Sequence, residues 1–264
     1  MERNEIHSFN LYKTVAKLDE ANKALSKLAA SGRKILFVAT KKQAKDIVAE
    51  HANKVNMPYI TERWPGGMLT NFVTIRKAVK KMGAIDRMKK DGTFETLSKK
   101  ERLQVDRLRS KLEKNLGSIS EMTRLPGAIF IVDTTREHIA VKEAQKLKIP
   151  IFAMVDTNSD PRTVDYVIPS NDDASKSISK ILGLVTDAIA EGLETRKNEK
   201  EGFDAQDAEG MAAAESASNK TDVSSTETAQ VEVAEEQKAA PEASTSENTE
   251  EVKKTDSKEE TTEK

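Results

Sequence analysis

Three stretches of this chain are unbroken apolar runs framed by turn or charged residues: 34–39 (Lys-Ile-Leu-Phe-Val-Ala), 127–133 (Gly-Ala-Ile-Phe-Ile-Val-Asp) and 150–156 (Pro-Ile-Phe-Ala-Met-Val-Asp). A strand with one wet face alternates apolar and polar residues, whereas a continuous apolar run is buried on both faces. Each run is followed by a segment of helical periodicity. Ala44, Ile47, Val48 and Val55 form one stripe, and Ala140, Ala144 and Leu147 a second. Ile178, Ile181, Leu182, Val185 and Ile189 form a third, capped by Asn171 or Asp172. Residues 58–61 read as a weaker strand, and 165–169 as the last one. An amphipathic helix over about 12–30, with Val15, Leu18, Leu25 and Leu28, precedes them all. Strands alternating with helices predict an α/β fold, a doubly wound parallel sheet with right-handed crossovers. Thr40 with Gln43, Thr134 with Glu137 and Ser98 with Glu101 have the spacing of capping boxes.

Residues 71–124 break the rhythm, because they contain no strand signal. Phe72, Ile75, Val79 and Met82 recur at helical spacing, with Ala78, Ile85 and Met88 on the same stripe. Asp91-Gly92 marks a turn, and Val105, Leu108, Leu112 and Ile119 form a second stripe. Two helices about one turn predict a helical hairpin, protruding as an antiparallel coiled coil. The domain reading is therefore 1–70 and 125–197 for the two parts of the α/β domain, with 71–124 inserted as the hairpin. Residues 198–264 form an acidic tail. Its apolar residues are too isolated to offset the entropy of ordering, which predicts disorder.

The formal net charge of -1 conceals a division. Residues 201–264 hold 18 Asp+Glu and 6 Lys, so residues 1–200 hold 37 Lys+Arg against 26 Asp+Glu. Residues 76–124 alone hold 15 Lys+Arg against 7 Asp+Glu. A basic body points to a polyanion as partner. The absence of cysteine excludes disulfides and zinc–thiolate sites and fits a cytoplasmic setting. No run approaches the roughly 20 apolar residues that span a bilayer, so no membrane partner is expected. Aromatic residues make up 4% of the chain, too few for a base-stacking surface.

Ligands of doubly wound sheets bind beyond the carboxyl ends of the strands. A nucleotide site there lacks its glycine-rich loop. Asp133, Asp156 and Asp160 could be read as a metal or carboxylate-pair site, but Asp at strand ends mostly begins turns, and no base or nucleophile accompanies them. His7, His51 and His138 are dispersed, so neither a metal nor a cofactor is expected. Phosphate binding is the better reading. Lys41, Lys42 and Lys45 surround a helix N-terminus, which itself favours anions, and Arg76, Lys77, Lys80 and Lys81 crowd adjacent turns. Arg136 lies at the end of another strand. The segment Arg63-Trp64-Pro65-Gly66-Gly67-Met68-Leu69-Thr70-Asn71 holds the only Trp and two adjacent glycines. Its Trp64 could cover the sheet edge or touch a partner, and composition leaves both open.

That segment, with residues 37–44 (Phe-Val-Ala-Thr-Lys-Lys-Gln-Ala), 156–161 (Asp-Thr-Asn-Ser-Asp-Pro) and 167–174 (Val-Ile-Pro-Ser-Asn-Asp-Asp-Ala), closely resembles the bacterial-type small-subunit ribosomal protein two family. The resemblance runs from the first residues to about Gly192. It implies a flavodoxin-like sheet with a protruding coiled-coil hairpin and a non-enzymatic place on the small ribosomal subunit. It implies contact with small-subunit ribosomal RNA and with neighbouring ribosomal proteins, including help in docking ribosomal protein one. The motif positions Lys41, Lys42, Arg63, Trp64, Gly66, Gly67, Thr70 and Asn71 become RNA-contact or site-shaping candidates. Lys45, Arg76, Lys77, Lys80, Lys81 and Arg136 join them on charge. Members of this family usually begin some tens of residues upstream, with a segment that helps contact RNA. This sequence opens inside what looks like the following segment, and its acidic tail is a second departure. A small-molecule-binding enzyme of flavodoxin-like fold is the alternative from another class.

Overall fold

The computed structural model describes residues 2–3 and 6–218, with side chains for 8–199 and 201. The chain divides into two units, Met1–Ala213 and Ala214–Lys264, and only 214–218 of the second are described, as helix. A short antiparallel pair, β1 (Glu2–Arg3) and β2 (Ile6–His7), opens the chain. Helix α1 (Leu11–Ala30) leads into β3 (Ile35–Val38), α2 (Lys42–Lys54) and β4 (Tyr59–Ile60). The helices α3 (Phe72–Lys90) and α4 (Lys99–Leu116) follow. Then come β5 (Ala128–Val132), α5 (His138–Lys146), β6 (Ile151–Val155), β7 (Tyr166–Pro169) and α6 (Ser175–Ser218).

The strands β3 to β7 form one parallel sheet in the order β4-β3-β5-β6-β7. That is the flavodoxin-like order, whose switch point lies between the first and third strands of the fold, here β3 and β5. Side chains alternate across the pleat, so each strand feeds two cores. Ile35, Phe37, Phe130 and Phe152 pack with Leu18, Leu25, Val48, Ile178, Leu182 and Val185 on the face covered by α1, α2 and α6. Leu36, Val38, Ile129 and Ile131 pack on the other face with Trp64, Met68, Leu69, Ile119 and Ala140. Both faces are dry, as the continuous apolar runs require.

One register row carries an aromatic ring on every strand of this sheet. Tyr59 pairs with Phe37, Phe37 with Phe130, Phe130 with Phe152, and Phe152 with Tyr166. The Phe37 and Phe130 rings lie 5.4 Å apart and tilted, and Phe152 stacks on Tyr166 at 4.3 Å. A slip by one residue would turn the whole row to the opposite face, so the rung locks the register. Five of the chain's eleven aromatics thus lie in this one row.

The helices α3 and α4 run antiparallel, tied by ion pairs of Asp86 with Arg109 and of Lys89 with Asp106. Gly92 turns the chain between them at φ +73°. Ser98 and Glu101 form the expected capping box at the start of α4. Phe72, Ile75, Ala78, Val79 and Leu112 pack the base of the pair onto the second core. Farther out, Ile85 is the buried residue of α3.

Several local expectations are corrected. Helix α2 starts at Lys42 with Lys41 as its uncapped N-cap, because Thr40 gives its hydroxyl and its backbone N–H to Glu137 instead. Helix α5 begins at His138 without a side-chain cap, since Glu137 is engaged by Thr40 rather than by Thr134. Val15 and Leu147 are exposed rather than inward: Thr14 and Leu18 face the core on α1, and Leu147 lies past the end of α5. The described backbone of α6 runs as helix from Ser175 through Ser218. Residues 219–264, read from the sequence as disordered tail, lie outside the described residues.

Truncating Phe130 to alanine removes the middle of the rung and should cost about 3–5 kcal/mol. Urea unfolding would measure this, with Tyr59→Ala at the half-buried edge expected to cost less.

Candidate nucleic-acid interface

The segment from Trp64 to Thr70 is organised by one carboxylate on α5. Glu143 is 8% exposed and accepts hydrogen bonds from Trp64 Nε1 (3.1 Å) and from the backbone N–H groups of Gly67 (2.8 Å), Leu69 (3.0 Å) and Thr70 (3.1 Å). The Thr70 hydroxyl donates a further bond at 3.2 Å. No cation neutralises Glu143 in an ion pair among the described residues. The donors replace its hydration, as a buried anion requires. Burial alone would raise its pKa. The bonds from Thr70, Trp64, Leu69 and Gly67 outweigh this and hold it below the ordinary carboxylate value.

Trp64 is therefore a packed residue whose indole N–H is satisfied inside the protein, with 6% of its surface exposed. The two glycines differ. Gly67 has φ +82°, and a Cβ there would come within 3.2 Å of the Asn71 side chain. Gly66 is exposed, with nothing within 4 Å of the position of a Cβ. Asn71 is the N-cap residue of α3 and accepts a bond from the Thr74 hydroxyl.

The basic residues fall into two environments. Arg76, Lys77, Lys80 and Lys81 lie on the face of α3 opposite its packed stripe, and none has an ion-pair partner among the described residues. Arg76 is oriented by donating to the Thr123 carbonyl at 3.0 Å. Arg63 directly precedes Trp64 and is exposed.

The second environment is the carboxyl edge of the sheet. Lys41 does not face solvent freely. Its ammonium lies 2.6 Å from Asp173, 2.8 Å from Asp172 and 3.5 Å from Asp133. Burial lowers its pKa, but the carboxylates of Asp172 and Asp173 outweigh burial and raise it, so Lys41 stays charged. Lys42 is exposed, and Arg136 donates from Nε to the Thr40 hydroxyl at 3.1 Å. Lys45 reaches Glu62 at 3.4 Å, and Glu62 in turn reaches Lys114 at 3.3 Å, which ties α2 to α4 through the start of the Trp64 segment. Asp133, in the left-handed region at φ +70°, accepts from the backbone N–H of Arg136, and Asp160 accepts from Arg162, so both start turns as expected.

Glu143 is not a candidate on sequence grounds, where an acidic residue in a helix resembles surface. Its signal is position: it directly precedes Ala144 and follows Ala140 by three, which puts it on the buried stripe of α5.

Because the folded pKa of Glu143 lies below the unfolded value, its contribution to stability is present above about pH 4.5 and is lost as pH falls through the folded value. Glu143→Gln should cost about 1.5–3 kcal/mol near neutrality and flatten the acid limb of the stability curve, as read by thermal melts between about pH 3 and 7. Gly67→Ala should destabilise through its positive φ, whereas Gly66→Ala should fold as the parent does. A defect of Gly66→Ala confined to RNA binding would show a partner's close approach at that position.

The model of the ribosomal protein S2 family matches residues 1–192. Among similar proteins, the small ribosomal subunit protein uS2 of Christiangramia forsetii is 80% identical over 199 residues, covering 75% of this chain and 67% of the relative. The uS2 of Flavobacterium johnsoniae is 79% identical, over 76% of this chain and 79% of its own length. That of Parabacteroides distasonis is 63% identical, over 79% and 74% respectively. The match takes in the Trp64 segment, the hairpin and the carboxyl edge of the sheet together, and the chain belongs to the ribosomal protein S2 family.

Proposed function

We propose that this chain is a non-enzymatic structural constituent of the small ribosomal subunit in the cytoplasm, and that it binds small-subunit ribosomal RNA. Membership of the S2 family and relatives named for that subunit support the placement. The observation that carries the RNA reading is the outer face of α3. Arg76, Lys77, Lys80 and Lys81 stand there without acidic partners among the described residues, on a helix whose start is fixed by the Glu143-bound segment. Cations that satisfy no internal carboxylate are available to phosphates.

In this proposal Arg63, Gly66 and Asn71 extend the α3 face at its base, and Lys42 and Arg136 offer a second contact at the sheet edge. Lys41, Lys45, Trp64, Gly67 and Thr70 shape the interface from within, because each is engaged by the protein itself. The hairpin is proposed to act as a projecting coiled coil. Docking of neighbouring proteins, ribosomal protein one included, rests on the family resemblance.

Every phosphate that a cation neutralises adds about 0.9 to the slope of log affinity against log salt on duplex RNA, taking the value for duplex DNA. Replacing Lys77, Lys80 and Lys81 by glutamate should therefore reduce the salt slope by roughly 2–3 and release the chain from small subunits. Sedimentation through sucrose gradients at two salt concentrations measures both. Circular dichroism should show an unchanged fold, since these side chains lie on the helix face turned away from the core. Unaltered co-sedimentation and slope would make this face a solvated surface only.

A further inference from the structure

The acidic cluster at the carboxyl edge of the sheet is not used by RNA binding, which needs positive charge. Asp156 directly follows β6, while Asp172 and Asp173 lie between β7 and α6. We propose that Asp156, Asp172 and Asp173 together hold one hard divalent cation, of the class of Mg2+ or Ca2+, at the end of the sheet.

Three observations carry this. One carboxylate oxygen from each of the three residues lies within 4.8 Å of the others, a spacing that a single ion can bridge. Asp172 is 1% exposed, and its Oδ2 is buried without any hydrogen-bond partner, although its Oδ1 is held by Lys41. A buried carboxylate oxygen without a donor is costly, and such an oxygen is what a cation takes up. The charge is also unbalanced. The edge gathers four carboxylates, those of Asp133, Asp156, Asp172 and Asp173, and Lys41 pairs with three of them through a single ammonium.

The loops are already set in place. The Asp172 N–H is directed at Asp156 Oδ2 at 3.4 Å, and Asn171 Oδ1 accepts from the N–H groups of Asp173 and Ala174. Asp173 has 67% of its side chain exposed, which leaves a solvent path for entry and room for water ligands. The donor set is all carboxylate, without thiol or imidazole, and this selects a hard cation over zinc or copper. Lys41 supplies one positive charge beside the ion, and the cation supplies the rest. Bound there, it ties the β6 and β7 loops to the start of α2 through the shared Asp172.

Mn2+ binding to the full chain, followed by electron paramagnetic resonance with Mg2+ as competitor, tests this. The account expects one site per chain, tighter than the weak background from the acidic tail and displaced by Mg2+. Asp173→Asn, on an exposed side chain, should weaken it at least tenfold, and the double variant Asp156→Asn/Asp173→Asn should abolish it. Asp160→Asn, in the same loop but paired with Arg162, should leave it intact. Only weak binding common to all variants, equal loss in Asp160→Asn, or displacement by Zn2+ but not Mg2+ would overturn the proposal. Circular dichroism of Asp173→Asn confirms that any loss is not unfolding.

Discussion

A single buried carboxylate sets the geometry on which the proposed interface depends. Glu143 sits on α5 beside Ala140 and Ala144, whose burial fixes where its charge must lie. A charge in that place needs donors, and no cation among the described residues supplies them. The chain from Trp64 to Thr70 folds around it with an indole, three backbone amides and a hydroxyl. A segment rich in glycine, which would otherwise have much conformational freedom to lose, thereby acquires one path. That path ends at Asn71, the N-cap of α3, and so sets where α3 leaves the sheet and which of its faces points outward. The aromatic rung plays the corresponding part inside the sheet, fixing register where Glu143 fixes the exit.

The architecture was largely legible because it depends on patterns within short stretches. Continuous apolar runs announce strands buried on both faces, and the stripes of Ile178, Leu182 and Val185 or of Phe72, Ile75 and Val79 announce helices. The Ser98 capping box was legible for the same reason: both partners lie within one turn. The apparent boxes at Thr40 and Thr134 fail because Glu137 is brought to Thr40 by the neighbouring strands β3 and β5. A long-range carboxylate outcompetes a local cap, and spacing does not reveal it. The rung is hidden in the same way. Each of Phe37, Phe130 and Phe152 is visible as a strand residue, but their alignment is a property of crossovers.

The candidate site was legible as composition and not as connectivity. The excess of cations makes the body a candidate partner for polyanions, yet it does not separate Lys41 from Lys77. In the fold, Lys41 is a counterion for three aspartates, whereas Lys77 has no such partner among the described residues. Trp64, the most unusual residue of the sequence, is a donor to Glu143 inside the second core. Unusual residues at a motif can thus be those that build a surface rather than those that touch its ligand. The same distinction divides the glycines, with Gly67 required by its φ and Gly66 left open to approach.

The central claim is that cations left unpaired by the fold contact RNA, while those engaged within it shape the surface. Amine-reactive labelling of small subunits, read by mass spectrometry against the free protein, tests it most directly. Lys77, Lys80 and Lys81 should be labelled readily in the free chain and protected in the particle, while Lys41 should react poorly in both. Equal labelling of the α3 lysines in the free chain and the particle, with ready labelling of Lys41 in the free chain that is lost in the particle, would contradict it.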